Sequence, residues 1–268
     1  MKRYKWFILT TLLLAVLAGC TDFEELPPDD GVSPPPTLDP LIPSPGELPA
    51  IPSPGFPIPG QNPGWADNGL SVTELSYVFT NNGAELLQAS GVFPQTGVAG
   101  IDRFYETCRE DFETLCAAYA EDAAEDFRVP YRCNADFTVE CNAGGLFSVA
   151  RFVYTETGGA HGSTQVLCDT FQVATGKRLA LEDFFTAERE QFTERLVAYI
   201  VERIAEDPER YYENAAQEAL SCFPYDQFCV TTDGVSIVYG EYTLAPYSAG
   251  LSRFDIPWSV FEDLWTMP

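Results

Sequence analysis

The segment Leu146–Val173, LFSVARFVYTETGGAHGSTQVLCDTFQV, decides the fold of this chain. Leu146–Tyr154 is rich in aromatic and β-branched residues, and apolar and polar residues alternate within Ser163–Val173. Both patterns are typical of β-strands. The glycine-rich Gly158–Gly162, GGAHG, separates the two runs and supplies a turn. With the preceding run Tyr131–Cys141, the segment predicts a three-stranded meander.

Upstream of the meander, the sequence predicts a hairpin and a long helix. Val72–Phe79 is β-rich, and the following Asn-Asn-Gly is a hairpin signal that leads into a strand over Ala84–Gln88. Apolar residues then recur at helical spacing from Ile101 to Tyr119. This spacing predicts an amphipathic helix over residues 99–127.

Downstream of the meander, helices and short strands alternate. The predicted elements are a helix capped by Thr186 that carries an apolar stripe, a helix from Asp207 to Leu220, the hairpin strands Phe228–Thr231 and Val235–Tyr239, the strand Phe254–Ile256, and a terminal helix from Pro257 through Trp265. This order of blocks predicts an α+β fold: a single domain with an antiparallel sheet and helices packed on one face.

The first twenty residues have the pattern of an export signal. A cationic start is followed by an apolar run over Trp6–Val16, and small residues then precede Cys20. We interpret residues 1–20 as a lipoprotein signal peptide with a lipobox, cleaved before Cys20, which becomes lipidated. An uncleaved N-terminal anchor is the alternative. The apolar run is shorter than the roughly 20 residues that a membrane-spanning helix needs.

Residues 21–65 form a predicted linker, because they hold 14 of the 21 prolines and repeat Ile-Pro-Ser-Pro-Gly. Such a segment buries no core and favours extended polyproline II structure. We interpret it as a stalk, and a tether without preferred length is the alternative. Either one holds a folded domain at residues 66–268 away from the lipid. The predicted location is extracytoplasmic, in the cell envelope, lipid-anchored to the outer face of a membrane.

The charge of the chain favours a basic partner. Without residues 1–20, the chain has 12 Lys and Arg against 40 Asp and Glu, a net charge of −28. This field repels nucleic acid and anionic lipid and attracts basic proteins. Adaptation to salt, or solubility alone, would also explain it. We expect no nucleic-acid partner.

Seven cysteines follow Cys20, and in an exported domain they predict disulfides. Cys222 and Cys229 flank a proline-containing loop and are the best local pair. The odd number leaves one cysteine over. The chain holds one histidine and no Cys-x-x-Cys pair, so we predict no metal site and no cofactor.

Several segments together resemble a known family. They are Gly158–Gly162, the segment Leu179–Phe185 (LALEDFF), Tyr242–Gly250 (YTLAPYSAG) and Val92–Pro94. They resemble the extracytoplasmic domain of RsiV-type anti-sigma factors and PdaC-type peptidoglycan deacetylases, which is DUF3298 with its DUF4163 companion. The resemblance implies an N-terminal half at residues 66–157 and a C-terminal half at residues 158–268.

The candidate contact residues are Tyr242, Pro246, Tyr247 and His161. Tyrosines give rigid, amphipathic contact area, so the loop around Tyr247 could fill a partner's cleft. A packed turn whose tyrosines cap the core is the alternative. For His161 we favour a turn residue whose ring bonds to the backbone, with ligand contact as the alternative. No Gly-x-Ser-x-Gly elbow accompanies it, and we predict no catalytic residue.

The resemblance implies a binding protein rather than an enzyme, because the RsiV-type domain binds lysozyme and the PdaC-type metal motif is missing from this sequence. Our hypothesis is a surface-anchored module that binds a basic, lysozyme-type muramidase as a decoy, inhibitor or sensor. The alternative is a module that binds peptidoglycan glycan strands. A hydrolase that uses carboxylates alone is the least favoured hypothesis.

Overall fold

Residues 70–125 and 130–268 are described by a computed structural model, and their strands form one six-stranded and one three-stranded sheet. The predicted signal peptide, Cys20 and the proline-rich linker lie outside the described residues. None of the helices in the described part is long and apolar enough to cross a membrane.

The larger sheet begins with the predicted hairpin. Strand β1 (Ser71–Asn81) pairs antiparallel with β2 (Ala84–Gln95). Asn82 and Gly83 join them with φ angles of 50° and 82°. A two-residue hairpin turn with both φ angles positive needs such residues. The hairpin prediction is confirmed, and β2 extends well beyond the predicted end at Gln88.

A long helix connects the hairpin to the next strand. Helix α1 (Ala99–Glu125) crosses from β2 to β3 (Tyr131–Ala143), as the helical spacing predicts. The crossover returns the chain in the same direction, so β2 and β3 pair in parallel, with Leu87 opposite Tyr131. The predicted antiparallel sheet therefore contains one parallel pair.

The predicted meander is confirmed and completes the larger sheet. Strands β4 (Leu146–Glu156) and β5 (Ser163–Gln172) follow β3 in antiparallel order, and the short β6 (Lys177–Arg178) forms the edge. The boundary between residues 157 and 158, expected to divide the domain into halves, lies in the β4–β5 turn. One sheet thus spans both halves.

The second sheet is the antiparallel series β7 (Phe228–Val230), β8 (Gly234–Tyr239) and β9 (Ser252–Pro257). The predicted Asp-Gly hairpin between the first two strands is confirmed. A Cβ atom at Gly234 would lie 1.9 Å from the backbone oxygen of Ile256, so only glycine fits there without a shift.

The remaining helices are α2 (Arg189–Glu206) and α3 (Ala215–Ser221). The helices and the two sheets stack in four layers, with buried side chains between them. Helix α1 covers one face of the larger sheet. The opposite face of that sheet meets the smaller sheet, whose outer face is covered by α2 and α3. The cluster between the sheets consists of Ala150, Phe152, Val166, Cys168, Cys229, Val238 and Leu251. The α+β prediction is confirmed.

Two predicted helix starts are wrong. Glu188, not Thr186, precedes α2, because the Thr186 hydroxyl donates a hydrogen bond to the Leu264 backbone oxygen at 3.1 Å. The helix predicted from Asp207 is interrupted after a single 3-10 turn, Pro208–Arg210. There the backbone N–H of Tyr212 donates to a distant loop carbonyl instead of continuing the helix.

The predicted terminal helix from Pro257 to Trp265 is also wrong. Only a 3-10 turn, Trp258–Val260, forms in this segment. The chain then leaves helical geometry because Trp265 pairs with Phe185 through a β-bridge and stacks on Phe184 at 4.7 Å between ring centroids. Tertiary packing against the core therefore overrides the local helical signal.

Candidate functional site

Two loops that are distant in sequence meet at one place on the surface: residues 157–162, between β4 and β5, and residues 240–251, between β8 and β9. Glu241 joins them. Its carboxylate accepts hydrogen bonds from the Ser163 hydroxyl and the Thr164 backbone N–H, both at 2.9 Å. The segments Gly158–Gly162 and Tyr242–Gly250, which resemble the family, thus lie next to each other in space.

His161 lies at the centre of this meeting point. Its ring stacks on Tyr247, with centroids 3.9 Å apart and planes 17° apart. Nδ1 lies 2.8 Å from the Gly162 backbone oxygen, and Nε2 lies 3.1 Å from the Tyr242 hydroxyl. A carbonyl oxygen only accepts, so Nδ1 carries the proton, and in the neutral ring Nε2 accepts from Tyr242. We call His161, Tyr242 and Tyr247 the aromatic cluster.

The backbone of Tyr242 is unusual. Its φ is 62°, and Asn82 is the other non-glycine residue with positive φ in residues 70–125 and 130–268. For a bulky residue this conformation is strained, by about 1–3 kcal/mol, and such strain clusters at functional sites. The Tyr242 side chain is still 50% exposed. The surrounding structure therefore maintains a strained backbone at a residue whose ring stays at the surface.

The neighbouring residues fix the rest of the cluster. Pro246 precedes the 3-10 turn Tyr247–Ala249, and its carbonyl accepts the Ala249 N–H at 2.9 Å. On the other loop, a Cβ atom at Gly162 would lie 2.3 Å from the Tyr154 hydroxyl oxygen. The four predicted contact residues therefore share one site. The ring of His161 bonds to the backbone and also faces two tyrosines.

The site has an acidic border. Burial, followed by the carboxylate of Glu241, raises the pKa of Tyr247, and Tyr242 and Glu156 add smaller contributions. Burial and Glu156 likewise raise the pKa of Tyr154. Both phenols therefore remain neutral at physiological pH and present hydroxyl groups beside negative charge. Arg132 pairs with Glu156 at 3.7 Å, so the attraction for a cationic group at this border comes mainly from Glu241.

The predicted cysteine pair lies elsewhere. Cys222 follows α3, and its thiol donates to the Glu218 carboxylate at 3.3 Å. Cys229 is fully buried in β7, and its thiol donates to the Val149 backbone oxygen at 3.4 Å. The Cys222–Cys229 bridge stays a prediction.

Sequence reasoning missed a buried group of charges beneath α1. Asp169 is inaccessible, and its carboxylate pairs with Arg151 Nε at 2.5 Å and Arg178 Nη2 at 3.0 Å. Both guanidinium groups also lie over the Phe104 ring, at 5.5 and 5.4 Å. We call Asp169, Arg151 and Arg178 the charged cluster. Asp169 lies in β5, where apolar and polar residues alternate, and the neighbouring sequence does not indicate that its side chain is buried.

A surface cleft of about 320 Å³ lies between β6 and α2, lined in part by Glu182, Arg189 and Tyr225. Arg189 pairs with Glu182 and lies 4.5 Å above the Tyr225 ring. Because these polar groups already bind one another, the cleft is a weaker candidate than the aromatic cluster. Within residues 70–125 and 130–268, no three His, Cys, Asp or Glu side chains are grouped as metal ligands.

The fold is that of solved DUF3298 structures. A member of the DUF3298 family from Bacteroides fragilis NCTC 9343 superposes with a TM-score of 0.56 at 17% identity, covering 74% of this chain and 93% of its own. A DUF3298 family protein from Pseudomonas aeruginosa PAO1 gives a TM-score of 0.54, with the same identity and coverage. At this identity the likeness concerns the fold alone.

The sequence itself also matches the family. Residues 182–259 match the model described as "Protein of unknown function (DUF3298)". The predicted resemblance to DUF3298 is therefore confirmed for this segment, which includes Tyr242, Pro246 and Tyr247. No curated protein matches the chain. No catalytic activity is indicated by these matches.

Proposed function

We propose that this protein is a lipid-anchored, extracytoplasmic binding module for a basic, lysozyme-type muramidase, of the kind that RsiV-like domains bind. It acts as a decoy, inhibitor or sensor and carries out no catalysis. The aromatic cluster is its contact surface. The observation that supports this proposal most is the half-exposed Tyr242, held in a strained conformation against His161.

The geometry suits binding because it is preorganised. The His161 ring is fixed by two hydrogen bonds and by its stack on Tyr247. Side chains that are already ordered lose little conformational entropy when a partner arrives. Tyrosine is also among the residues that contribute most to protein interfaces. An ordered aromatic surface can therefore convert contact area into affinity efficiently.

The charge supports a cationic partner. Glu241 and Glu156 border the cluster, and the chain without residues 1–20 has a net charge of −28. Such a field steers a basic protein toward the domain and increases its association rate. Charge alone gives weak, salt-sensitive attraction. The aromatic residues therefore provide the specificity of recognition.

The first experiment is a calorimetric titration of residues 66–268 with hen-type lysozyme at low salt and at about 150 mM salt, where charges are screened beyond about 8 Å. We expect binding at both salt concentrations. Tyr247→Ala should weaken it about thirtyfold or more, because a central contact residue contributes at least about 2 kcal/mol.

Tyr77→Ala is the matched control, since Tyr77 is an exposed tyrosine on β1, outside the two loops of the site. It should leave the affinity unchanged. Binding that disappears at the higher salt, or that survives Tyr247→Ala, would reject the aromatic cluster as a muramidase contact.

One observation favours peptidoglycan glycan as the alternative ligand. Two ring pairs of the aromatic cluster are stacked, with planes 17° apart for His161 and Tyr247 and 25° apart for Tyr242 and Tyr247, whereas the His161 and Tyr242 rings are tilted by 35°. The faces that meet within the stack are covered, but Tyr242 is half-exposed, and an exposed tyrosine ring offers an apolar face on which a sugar ring can stack. Co-sedimentation with purified peptidoglycan, lost with Tyr247→Ala and indifferent to salt, would favour this ligand over the muramidase.

A further inference from the structure

We infer that Cys116 forms a disulfide with Cys133 and that Cys168 forms one with Cys229. These bonds would fasten α1 to the larger sheet and the larger sheet to the smaller one. The inference uses the proposed extracytoplasmic location, because disulfides persist in oxidising compartments. It does not depend on muramidase binding.

The first pair lies between α1 and β3. Cys116 belongs to the buried stripe of α1, between Phe112 and Ala120, and Cys133 points from β3 toward that stripe. Both side chains are inaccessible and belong to one apolar cluster. Their thiols lie within hydrogen-bonding reach of each other. Both thiols are free in the structure, so the S–S bond is the step that the inference adds.

The second pair lies between the two sheets. Cys168 in β5 and Cys229 in β7 are both buried in the cluster that separates the sheets, and their thiols are also within hydrogen-bonding reach. The Cys168 backbone N–H donates a hydrogen bond at 3.2 Å to the side-chain oxygen of Gln227, the residue that precedes β7. This pairing uses Cys229 and therefore excludes the predicted Cys222–Cys229 bridge.

The chemistry requires an external disulfide as the oxidant. Each pair of thiols loses two protons and two electrons as the S–S bond forms. A donor disulfide, on a protein or a small thiol compound, accepts the electrons and is reduced to two thiols. Exchange needs a thiolate, and burial raises the pKa of Cys229 well above its ordinary value. The bonds must therefore form while folding still leaves the thiols accessible.

The two bonds constrain different lengths of chain. The first closes a loop between residues 116 and 133, and the second closes a much longer loop between residues 168 and 229. A disulfide restricts the unfolded chain more strongly when its loop is longer. The second bond should therefore contribute more to stability than the first.

The test is to refold the full chain in mild detergent with a mixture of oxidised and reduced glutathione, block the remaining thiols, and map cross-linked peptides by mass spectrometry. We expect one peptide pair that joins Cys116 to Cys133 and another that joins Cys168 to Cys229. Blocked thiols at all four positions, or a peptide pair that joins Cys222 to Cys229, would overturn the inference. The lysozyme titration remains a separate measurement, so the two proposals fail independently.

Thermal unfolding provides a second measurement. Reduction should lower the Tm by about 10 °C, from the usual contribution of disulfides in a domain of this size. Cys116→Ala, Cys133→Ala and the double variant should lower the Tm equally, because each removes the same bond. Additive losses would contradict a bond between them. Cys141→Ala is the matched control, since it replaces a buried cysteine outside both pairs and should leave the effect of reduction intact.

Discussion

The charged cluster and the aromatic cluster each join three side chains, but they differ in exposure. Asp169 is inaccessible and pairs with the nearly buried Arg151 and the half-exposed Arg178, whereas Tyr242 is half-exposed and contacts His161 at the surface. Charges removed from water are costly unless they remain paired. The interior group therefore supports the fold, whereas the surface group keeps area available for a partner.

The largest expected effect comes from breaking the interior group. Asp169→Asn leaves Arg151 almost buried without its counter-charge, so we expect a loss of about 3–5 kcal/mol in the free energy of unfolding. Denaturant unfolding followed by circular dichroism measures this loss.

A double variant serves as the control for this prediction. Asp169→Leu with Arg151→Met removes both charges, and Arg178 is exposed enough to turn toward water. The double variant should be clearly more stable than Asp169→Asn, because well-packed apolar residues can replace a buried ion pair. If Asp169→Asn costs less than about 1 kcal/mol, the cluster behaves like a surface ion pair.

A smaller effect of opposite sign is expected next to the charged cluster. The Tyr105 hydroxyl is buried and has no hydrogen-bond partner among the described residues. Tyr105→Phe should therefore stabilise the protein by about 1 kcal/mol, because a buried unpaired polar group is costly.

Tyr105 also gives a prediction about pH. Burial, with a contribution from Asp169, raises its folded-state pKa well above 10.0. Above pH 10 the unfolded chain releases this proton first, so stability falls as pH rises toward the folded-state pKa. Unfolding measured between pH 9 and pH 11 should show a shallower loss for Tyr105→Phe. An unchanged slope would mean that the hydroxyl ionises equally in both states.

The smallest effect on stability is expected at the aromatic cluster. Tyr242→Gly relieves the strain of the positive φ but loses the hydrogen bond to His161 and adds the backbone entropy of glycine, so these opposing effects should change the free energy of unfolding by no more than about 0.5 kcal/mol. Partner binding should nevertheless weaken, as titration of the same variant would report. A loss of more than about 2 kcal/mol would instead make the cluster part of the structural core.

Patterns in the sequence predicted the elements that depend on local chemistry. The Asn-Gly turn at Asn82 and the Asp-Gly turn at Gly234 appear where the sequence placed them, because few residues adopt those backbone angles or fit so close to a neighbouring strand. The apolar stripe of α2 is likewise buried as predicted, because helical spacing fixes which side chains share a face.

The features that the sequence did not predict depend on distant contacts. Trp265 is not helical, because it packs against Phe184 and Phe185, which lie about 80 residues earlier in the chain. The parallel pairing of β2 and β3 depends on which strand edges remain open after the hairpin forms. At the site, no spacing rule relates His161 to Tyr247, so the stack became visible only in three dimensions.

The order of strands in the larger sheet has a consequence for how the chain folds. The six strands stand side by side in the order in which they are synthesised. Apart from β3, which follows β2 across helix α1, each new strand therefore finds its partner nearby in the chain, and short sequence separations favour rapid folding. The smaller sheet must wait for Ser252–Pro257, close to the end of the chain. The chain segments of the larger sheet are therefore complete at Arg178, well before the last strand of the smaller sheet is synthesised.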